Sequence, residues 1–335
     1  MNLWLIFVLA AIAIILAGNK LSFYGDLIAL KTGLGKALVG SILIAGVTSL
    51  PELATISSAT MIGAVDIAAG NVFGSNIFNL AMLAIMDLVQ GSGPLMLEVH
   101  SKHILTALLG MLLATAAAIF ILLNHFNFLN ISIFWVGVGS LVIILIYLVG
   151  TRLNFRYEKY RLEEGDDSQR ELAVDISLRR MAGYFIVAAV VIIISGYILS
   201  TTADQIAAVT GLRQSFLGTI MVAAATSLPE MVTVLSALRI GAYNMGAANV
   251  FGSNIFNVLI LALADIIYRP GPIMRQISLT NVVTALLGLI LSIIAVIGLF
   301  YRSHKTFFSL GWDSVAIIII YLWGVYLIFR MGIVI

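Results

Sequence analysis

The chain has 335 residues, 61% of them hydrophobic and 10% charged, with a formal net charge of +2 and no cysteine. A soluble globular domain carries roughly a quarter charged residues, so this composition excludes one and requires a bilayer. The missing cysteines also exclude disulfides, thiolate metal ligands and haem-attachment motifs.

Met1-Asn2-Leu3-Trp4 has no basic leader and no small-residue cleavage site comes after it, so the start reads as a retained first helix. Apolar segments then run at about 2–30, 37–61, 67–90, 103–123, 131–150, 180–203, 214–238, 242–267, 277–300 and 312–334. At about twenty apolar residues per crossing, these are ten transmembrane helices. Turn signals separate them, among them Thr32-Gly33-Leu34-Gly35, Gly91-Ser92-Gly93-Pro94, Asn124-His125-Phe126-Asn127 and Arg269-Pro270-Gly271-Pro272. From Thr151 to about Asp175 the pattern changes to alternating charges with almost no apolar run, which reads as a solvated linker. The expected organisation is a first five-helix repeat at 1–150, a charged linker at 151–178 and a second repeat at 179–335.

The halves repeat each other. Thr48-Ser49-Leu50-Pro51-Glu52 recurs as Thr226-Ser227-Leu228-Pro229-Glu230, and Asn71-Val72-Phe73-Gly74-Ser75-Asn76-Ile77-Phe78-Asn79 recurs as Asn249-Val250-Phe251-Gly252-Ser253-Asn254-Ile255-Phe256-Asn257. Both blocks are displaced by 178 residues (226 against 48, 249 against 71), and the same offset pairs Asp26 with Asp204, Asp87 with Asp265 and Gly93-Pro94 with Gly271-Pro272. Five helices per half is an odd number, so the second half enters from the opposite side. The fold class is an all-α membrane protein of ten transmembrane helices in two inverted five-helix repeats, an architecture that puts a site at the repeat interface near the midplane. With the N-terminus outside, the inner connections hold 13 Lys and Arg and the outer ones 4, which orients both termini outward and the linker toward the cytoplasm.

Of the sixteen acidic residues, only Glu52 and Glu230 fall deep inside apolar spans. A charge there costs several kcal/mol unless it meets a partner or water. No Lys or Arg lies at that depth, which leaves a protonated glutamate bonded within the bundle or a bound cation. The identical polar setting of both copies favours the cation. Pro51 and Pro229 each free the carbonyl four residues earlier, at Val47 and Ala225, and offer backbone oxygen beside Thr48, Ser49, Thr226 and Ser227. A plain kink satisfied by those hydroxyls is the alternative. Asn71, Ser75 and Asn79 recur at i, i+4 and i+8 and form one polar stripe, repeated by Asn249, Ser253 and Asn257. Ser75, Asn79, Ser253 and Asn257 read as ligands. For Asn71, Asn76, Asn249 and Asn254, helix packing is an equal alternative. Asp26, Asp66, Asp87, Asp204 and Asp265 near helix ends read as caps. All the donors are oxygens, which suit hard cations, Ca²⁺ among them. The four histidines sit in loops or at helix ends, which disfavours zinc and copper.

At these motifs the chain resembles the sodium/calcium exchanger family of the cation/calcium antiporter superfamily, in its prokaryotic ten-helix form, over nearly its whole length. The resemblance implies a secondary active antiporter that is not an enzyme, needs no cofactor and takes Ca²⁺ and Na⁺ as substrates. It implies a multi-pass protein of the cell membrane with the bilayer as its other partner and no nucleic acid; a monomer is compatible with the duplication. By motif position, Ca²⁺ is held by Glu52, Glu230 and carbonyls near Thr48 and Thr226. Flanking Na⁺ sites use Ala45, Thr48, Ser49, Ser75 and Asn79, and by symmetry Ala223, Thr226, Ser227, Ser253 and Asn257. The first and sixth helices are expected to slide across this core. Two departures matter. Potassium-dependent relatives usually carry Asp where Asn257 stands. The proton/calcium branch carries a Glu-His pair where this chain has Gly74-Ser75 and Gly252-Ser253, although the same two glutamates can serve H⁺/Ca²⁺ exchange.

Overall fold

A computed structural model describes residues 2–32, 48–91, 93–128, 131–162, 177–239, 241, 243–304, 306–307 and 310–333. Ala45 and the Val47 carbonyl lie outside the described residues. The first half contains α1 (Leu3–Thr32), α2 (Leu50–Met61), α3 (Val65–Gln90), α4 (His103–His125) and α5 (Val138–Leu162). The second contains α6 (Leu178–Thr210), α7 (Gln214–Arg239), α8 (Tyr243–Ile267), α9 (Leu279–Tyr301) and α10 (Trp312–Ile333). Among the described residues, nine of these are long and apolar enough to cross a membrane, and α2 is described only from its approach at Thr48 onward. The chain is an all-α multi-pass membrane protein of two inverted five-helix repeats.

The motif helices α3 and α8 are the most enclosed, and they pack on each other at the centre. The long helices α1 and α6 lie side by side at the periphery. Leu5, Leu9, Ile12 and Leu16 of α1 and Ile186, Val187, Ile193 and Ile194 of α6 face outward and exposed. That apolar belt suits hydrocarbon, since a helix satisfies its own backbone and needs only apolar side chains on its lipid face.

Close packing at the centre depends on missing side chains. Lipid tails are as apolar as leucine, so helices in a bilayer associate through backbone approach at small residues. A Cβ added to Gly74 of α3 would lie 2.7 Å from Thr219 Cα and 2.8 Å from Ala223 Cβ, and one added to Gly218 of α7 would lie 2.9 Å from Ile67 Cα. The α7 segment in this contact, Leu217–Val222, is π-helical, and the helix then runs unbroken through Pro229. In the first copy the chain instead turns at Ser49, and Pro51 sits in the first turn of α2. The kink expected at both prolines is therefore a helix start in one half and is spread over a π-helical turn in the other. Inserting a residue rotates the downstream turns and lets α7 keep its length while changing its facing.

A second asymmetry concerns the peripheral pair. Gly18 of α1 abuts Pro229, with a hypothetical Cβ 2.5 Å from Pro229 Cγ. Its counterpart Gly196 of α6, 178 residues on, abuts Ala54 and Thr55 (3.2 Å to Ala54 Cβ, 3.1 Å to Thr55 Oγ1) and not Pro51. Ser200 keeps the same register and donates to the Thr55 carbonyl at 2.9 Å. Three to four residues is one helical turn, a rise of about 5.4 Å.

The fifth apolar segment departs from the sequence reading at both of its ends. Expected from 131, it begins as a hairpin of β1 (Ser132–Ile133) and β2 (Val136–Gly137), and α5 starts only at Val138. A matching hairpin of β3 (Thr306–Phe307) and β4 (Leu310–Gly311) precedes α10. The cause is a carboxylate. Asp265 Oδ2 accepts the Gly137 N–H at 2.8 Å and the Ser140 hydroxyl at 2.6 Å, and its Oδ1 accepts the Ile273 N–H at 2.6 Å. Asp87 accepts the N–H groups of Leu95 and Gly311, each at 2.7 Å, and Asp66 accepts that of Ser278 at 2.7 Å. These aspartates are caps, but of segments distant in the chain and not of their own helices. At the other end α5 continues to Leu162, so the first residues of the charged stretch are helical.

The Gly74 contact sets the distance between α3 and α7. Gly74→Val is expected to destabilise the protein by about 1–3 kcal/mol, the range for overpacking, read as a lower unfolding temperature in detergent. An unchanged unfolding temperature would show that the contact is not tight.

Candidate ion-binding site

The Thr-Ser-Leu-Pro-Glu segments of α2 and α7 meet at the centre, each against the polar stripe of α3 or α8. Thr48, Ser49, Glu52, Thr226, Ser227 and Glu230 are all at most 2% exposed. The hydroxyls cross between the repeats. Ser227 donates to Glu52 Oε1 at 2.8 Å, and Ser49 donates to Glu230 Oε1 at 3.4 Å. Each serine therefore serves the glutamate of the other half, and neither half makes the cluster alone. Ser75 adds a long contact to Glu52 Oε1 at 3.5 Å.

The polar stripe lies as the spacing predicts, and all four of its ligand candidates are buried. Ser75 donates to Asn71 Oδ1 and Ser253 to Asn249 Oδ1, both at 3.2 Å. Thr226 also donates to Asn71 Oδ1 at 3.0 Å and so joins α7 to α3. Asn79 Nδ2 donates to Asn254 Oδ1 at 3.0 Å, and Asn257 Nδ2 to Asn76 Oδ1 at 3.1 Å. Asn76 and Asn254 donate to each other's carbonyl oxygens at 3.4 and 3.3 Å. These four amides form a ring on the pseudo-two-fold axis. Asn76 and Asn254, for which packing and binding stood equal, are the clasp between α3 and α8. Ala223 is fully buried, and its carbonyl accepts from Thr226 Oγ1 at 3.2 Å.

The bonds that are absent point to chemistry. Glu52 Oε2, Glu230 Oε2, Asn79 Oδ1 and Asn257 Oδ1 are buried oxygens with no hydrogen-bond partner among the described residues, two symmetric pairs. The ring uses the amide N–H groups of Asn79 and Asn257 and leaves their oxygens free. A buried acceptor without a donor costs about 1–3 kcal/mol, more if charged. Neither glutamate is paired with Lys or Arg among the described residues, and no group of three or more His, Cys, Asp and Glu occurs there. The cluster is thus a cage of unpartnered oxygens with two carboxylates at its heart, beside which the amide nitrogens of Asn71 and Asn249 also lack partners among the described residues. Such a cage suits a hard cation, while a soft metal would require sulfur or imidazole.

The fold and this cluster define an internally duplicated membrane protein with a buried, oxygen-rich centre at the interface of its halves. Residues 2–153 and 181–332 match the family "Sodium/calcium exchanger protein", and the chain belongs to that family of cation/calcium antiporters. It is 23% identical over 271 residues to the inner membrane protein YrbG of Escherichia coli, covering 79% of this chain and 80% of YrbG. Its fold is similar to the crystal structure of the H⁺/Ca²⁺ exchanger CAX (TM-score 0.71, 15% identity, 99% of this chain and 86% of the other). It is likewise similar to the sodium-calcium exchanger NCX_Mj (TM-score 0.60, 20% identity, 96% of each chain).

The amide ring makes a symmetric prediction. Asn254→Leu removes two side-chain hydrogen bonds, and at about 0.6 kcal/mol each in a membrane interior the loss is about 1 kcal/mol. Asn76→Leu is expected to cost the same. Thermal unfolding of both variants checks this, and a large difference between them would contradict a ring centred on the axis.

Proposed function

We propose that this protein exchanges Ca²⁺ for Na⁺ across the cell membrane by alternating access, with both ions bound as substrates in the Glu52–Glu230 cluster. The observation that carries this reading is the set of four unpartnered buried oxygens, two of them on carboxylates without a basic partner. Two carboxylates neutralise one Ca²⁺, which favours its passage through a low-dielectric interior. In this reading Ca²⁺ sits between Glu52 and Glu230 with carbonyls near Thr48 and Thr226. Na⁺ takes the flanks, at Ala45, Thr48, Ser49, Ser75 and Asn79 on one side and Ala223, Thr226, Ser227, Ser253 and Asn257 on the other. The two ions compete for overlapping oxygens, so a single site that switches its exposure couples their fluxes. Both termini face outward and the linker at 151–178 lies in the cytoplasm.

The register of α1 and α6 supports the switching step. Gly18 on Pro229 and Gly196 one turn away from Pro51 are the same contact in two positions. Exchanging those positions moves the peripheral pair along the motif helices and opens the cluster to the other side.

A second reading, H⁺/Ca²⁺ exchange on the same glutamates, is favoured by the fold similarity to the H⁺/Ca²⁺ exchanger. The presence of Gly74-Ser75 and Gly252-Ser253, with no Glu-His pair, favours Na⁺. Ca²⁺ uptake into proteoliposomes separates the two. Uptake that requires an outward Na⁺ gradient supports the first reading, and uptake driven by a proton gradient without Na⁺ supports the second.

In either case Glu52→Gln and Glu230→Gln are each expected to lower Ca²⁺ uptake at least ~100-fold with folding intact. Removing one carboxylate leaves a buried charge uncompensated by about 2.5–3.5 kcal/mol. Retained uptake in either variant would remove that glutamate from the site. Gly18→Ala inserts a methyl against Pro229. It is expected to slow turnover about tenfold or more while Ca²⁺ binding affinity changes little, as a gating step demands. Equal losses in both would show that Gly18 supports the site and not its switching.

A further inference from the structure

Three buried aspartates, Asp87, Asp265 and Asp313, lie outside the transport cluster among the described residues. Asp313 opens α10 at 2% exposure, and Asp87 ends α3 at 0%. A point one Cβ length from Gly311 lies 2.7 Å from Asp313 Oδ1 and 3.4 Å from Asp87 Oδ2, so the two carboxylates flank the same small volume. No ion pair to Lys or Arg relieves them among the described residues. The nearby Arg302 guanidinium is engaged by the carbonyls of Val99 and Leu97. Among the described residues Asp313 Oδ2 has no hydrogen-bond partner, and neither has the hydroxyl of Ser314, which is wholly buried.

The other half of the molecule provides an internal control. There Asp265 holds its hairpin alone: it caps Gly137 and Ile273 and binds the Ser140 hydroxyl at 2.6 Å. The residue before Ser140 is Gly139, and a Cβ on it would lie 2.7 Å from the Phe120 ring. In the second half the large and small partners are exchanged. Gly298 stands 178 residues after Phe120, Asp313 precedes Ser314, and Gly298 leaves room for the Asp313 carboxylate, whose Cγ would lie 3.0 Å from an added Cβ. One carboxylate and one serine are enough to fasten a hairpin, as Asp265 and Ser140 demonstrate. The second half carries an extra buried carboxylate in space an aromatic ring fills in the first, and its serine is left idle. An added buried charge without a partner is destabilising by several kcal/mol, and a cation between the two carboxylates would relieve that cost.

We propose that Asp87, Asp313 and Ser314 form a second cation site, for a hard divalent cation such as Ca²⁺ or Mn²⁺, separate from the transport cluster and at one of the two symmetry-related hairpins only. Two carboxylates and a hydroxyl give oxygen donors of the kind such ions prefer. Asp87 already holds the N–H groups of Leu95 and Gly311, so a bound cation links the end of α3 to the β3–β4 hairpin and the start of α10. This role does not depend on which ion couples to Ca²⁺ in transport.

The test uses the full chain in detergent with the transport cluster disabled. Purified Glu52→Gln/Glu230→Gln protein is titrated with Mn²⁺ and followed by electron paramagnetic resonance and calorimetry. The expected result is one bound Mn²⁺ per chain, competed by Ca²⁺, with a raised unfolding temperature on binding. Adding Asp313→Asn, which keeps the shape of the side chain, is expected to abolish that binding, and Ser314→Ala to weaken it about tenfold. In the otherwise unmutated protein Asp313→Asn is expected to reduce the Mn²⁺ count by one. A folded double variant that binds no Mn²⁺, or residual binding that survives Asp313→Asn, overturns the proposal.

Discussion

Two carboxylates without a counter-charge at the centre of a bilayer protein are the constraint on which the rest of the structure depends. Each is hydrogen-bonded by a serine from the opposite repeat, and each keeps one oxygen without a partner. Apolar packing cannot offset that arrangement, and burial deepens its cost. A bound cation, as proposed above, or a proton on the carboxylates would relieve that cost. The helices around it serve two needs at once. They exclude lipid and water from the carboxylates, and they hold two half-sites in register from opposite directions.

The second need explains where small residues fall. Gly74 and Gly218 let α3 and α7 approach to backbone contact, and this carries Asn71 to the hydroxyl of Thr226. The amide ring of Asn76, Asn79, Asn254 and Asn257 fixes α3 against α8 where the symmetry axis passes. Rigid contacts thus gather on α2, α3, α7 and α8. The α1–α6 pair meets the motif helices at Gly18 and Gly196, with Ser200 as a side-chain hydrogen bond to α2, and hydrocarbon bathes its outer face. A stiff centre and a smooth-sided periphery arise from the same duplicated sequence.

Much of this was legible in the residues, for physical reasons. Helix number and inversion come from apolar length and from a constant offset, both properties of the chain alone. Glu52 and Glu230 stood out because a charge inside an apolar run has no ordinary structural explanation. Asp87 and Asp265 read only as caps and Asp313 did not stand out, because all three lie at the ends of such runs, where a carboxylate is common. The importance of Asp87 and Asp265 arises from contacts with hairpins far along the chain, at Gly311, 224 residues away, and at Gly137, 128 residues away. The hairpins were hidden for a related reason. Ile131, Ile133, Phe134 and Trp135 are apolar enough to pass for a helix start, and only the pull of Asp265 on Gly137 and Ser140 makes them turn. The crossing of serines between repeats was equally hidden, since spacing within one copy cannot reveal which copy its hydroxyl will serve.

The one-turn difference between Gly18 on Pro229 and Gly196 on Ala54 and Thr55 bears on energetics as well as on geometry. If exchange of the two registers yields the opposite-facing form, both forms are assembled from nearly the same set of contacts. Their free energies then lie close together without any tuning of individual residues. A protein of that kind stores no preference for one direction. Whichever ion gradient is steeper decides the direction of net flux, and reversing the gradients reverses it.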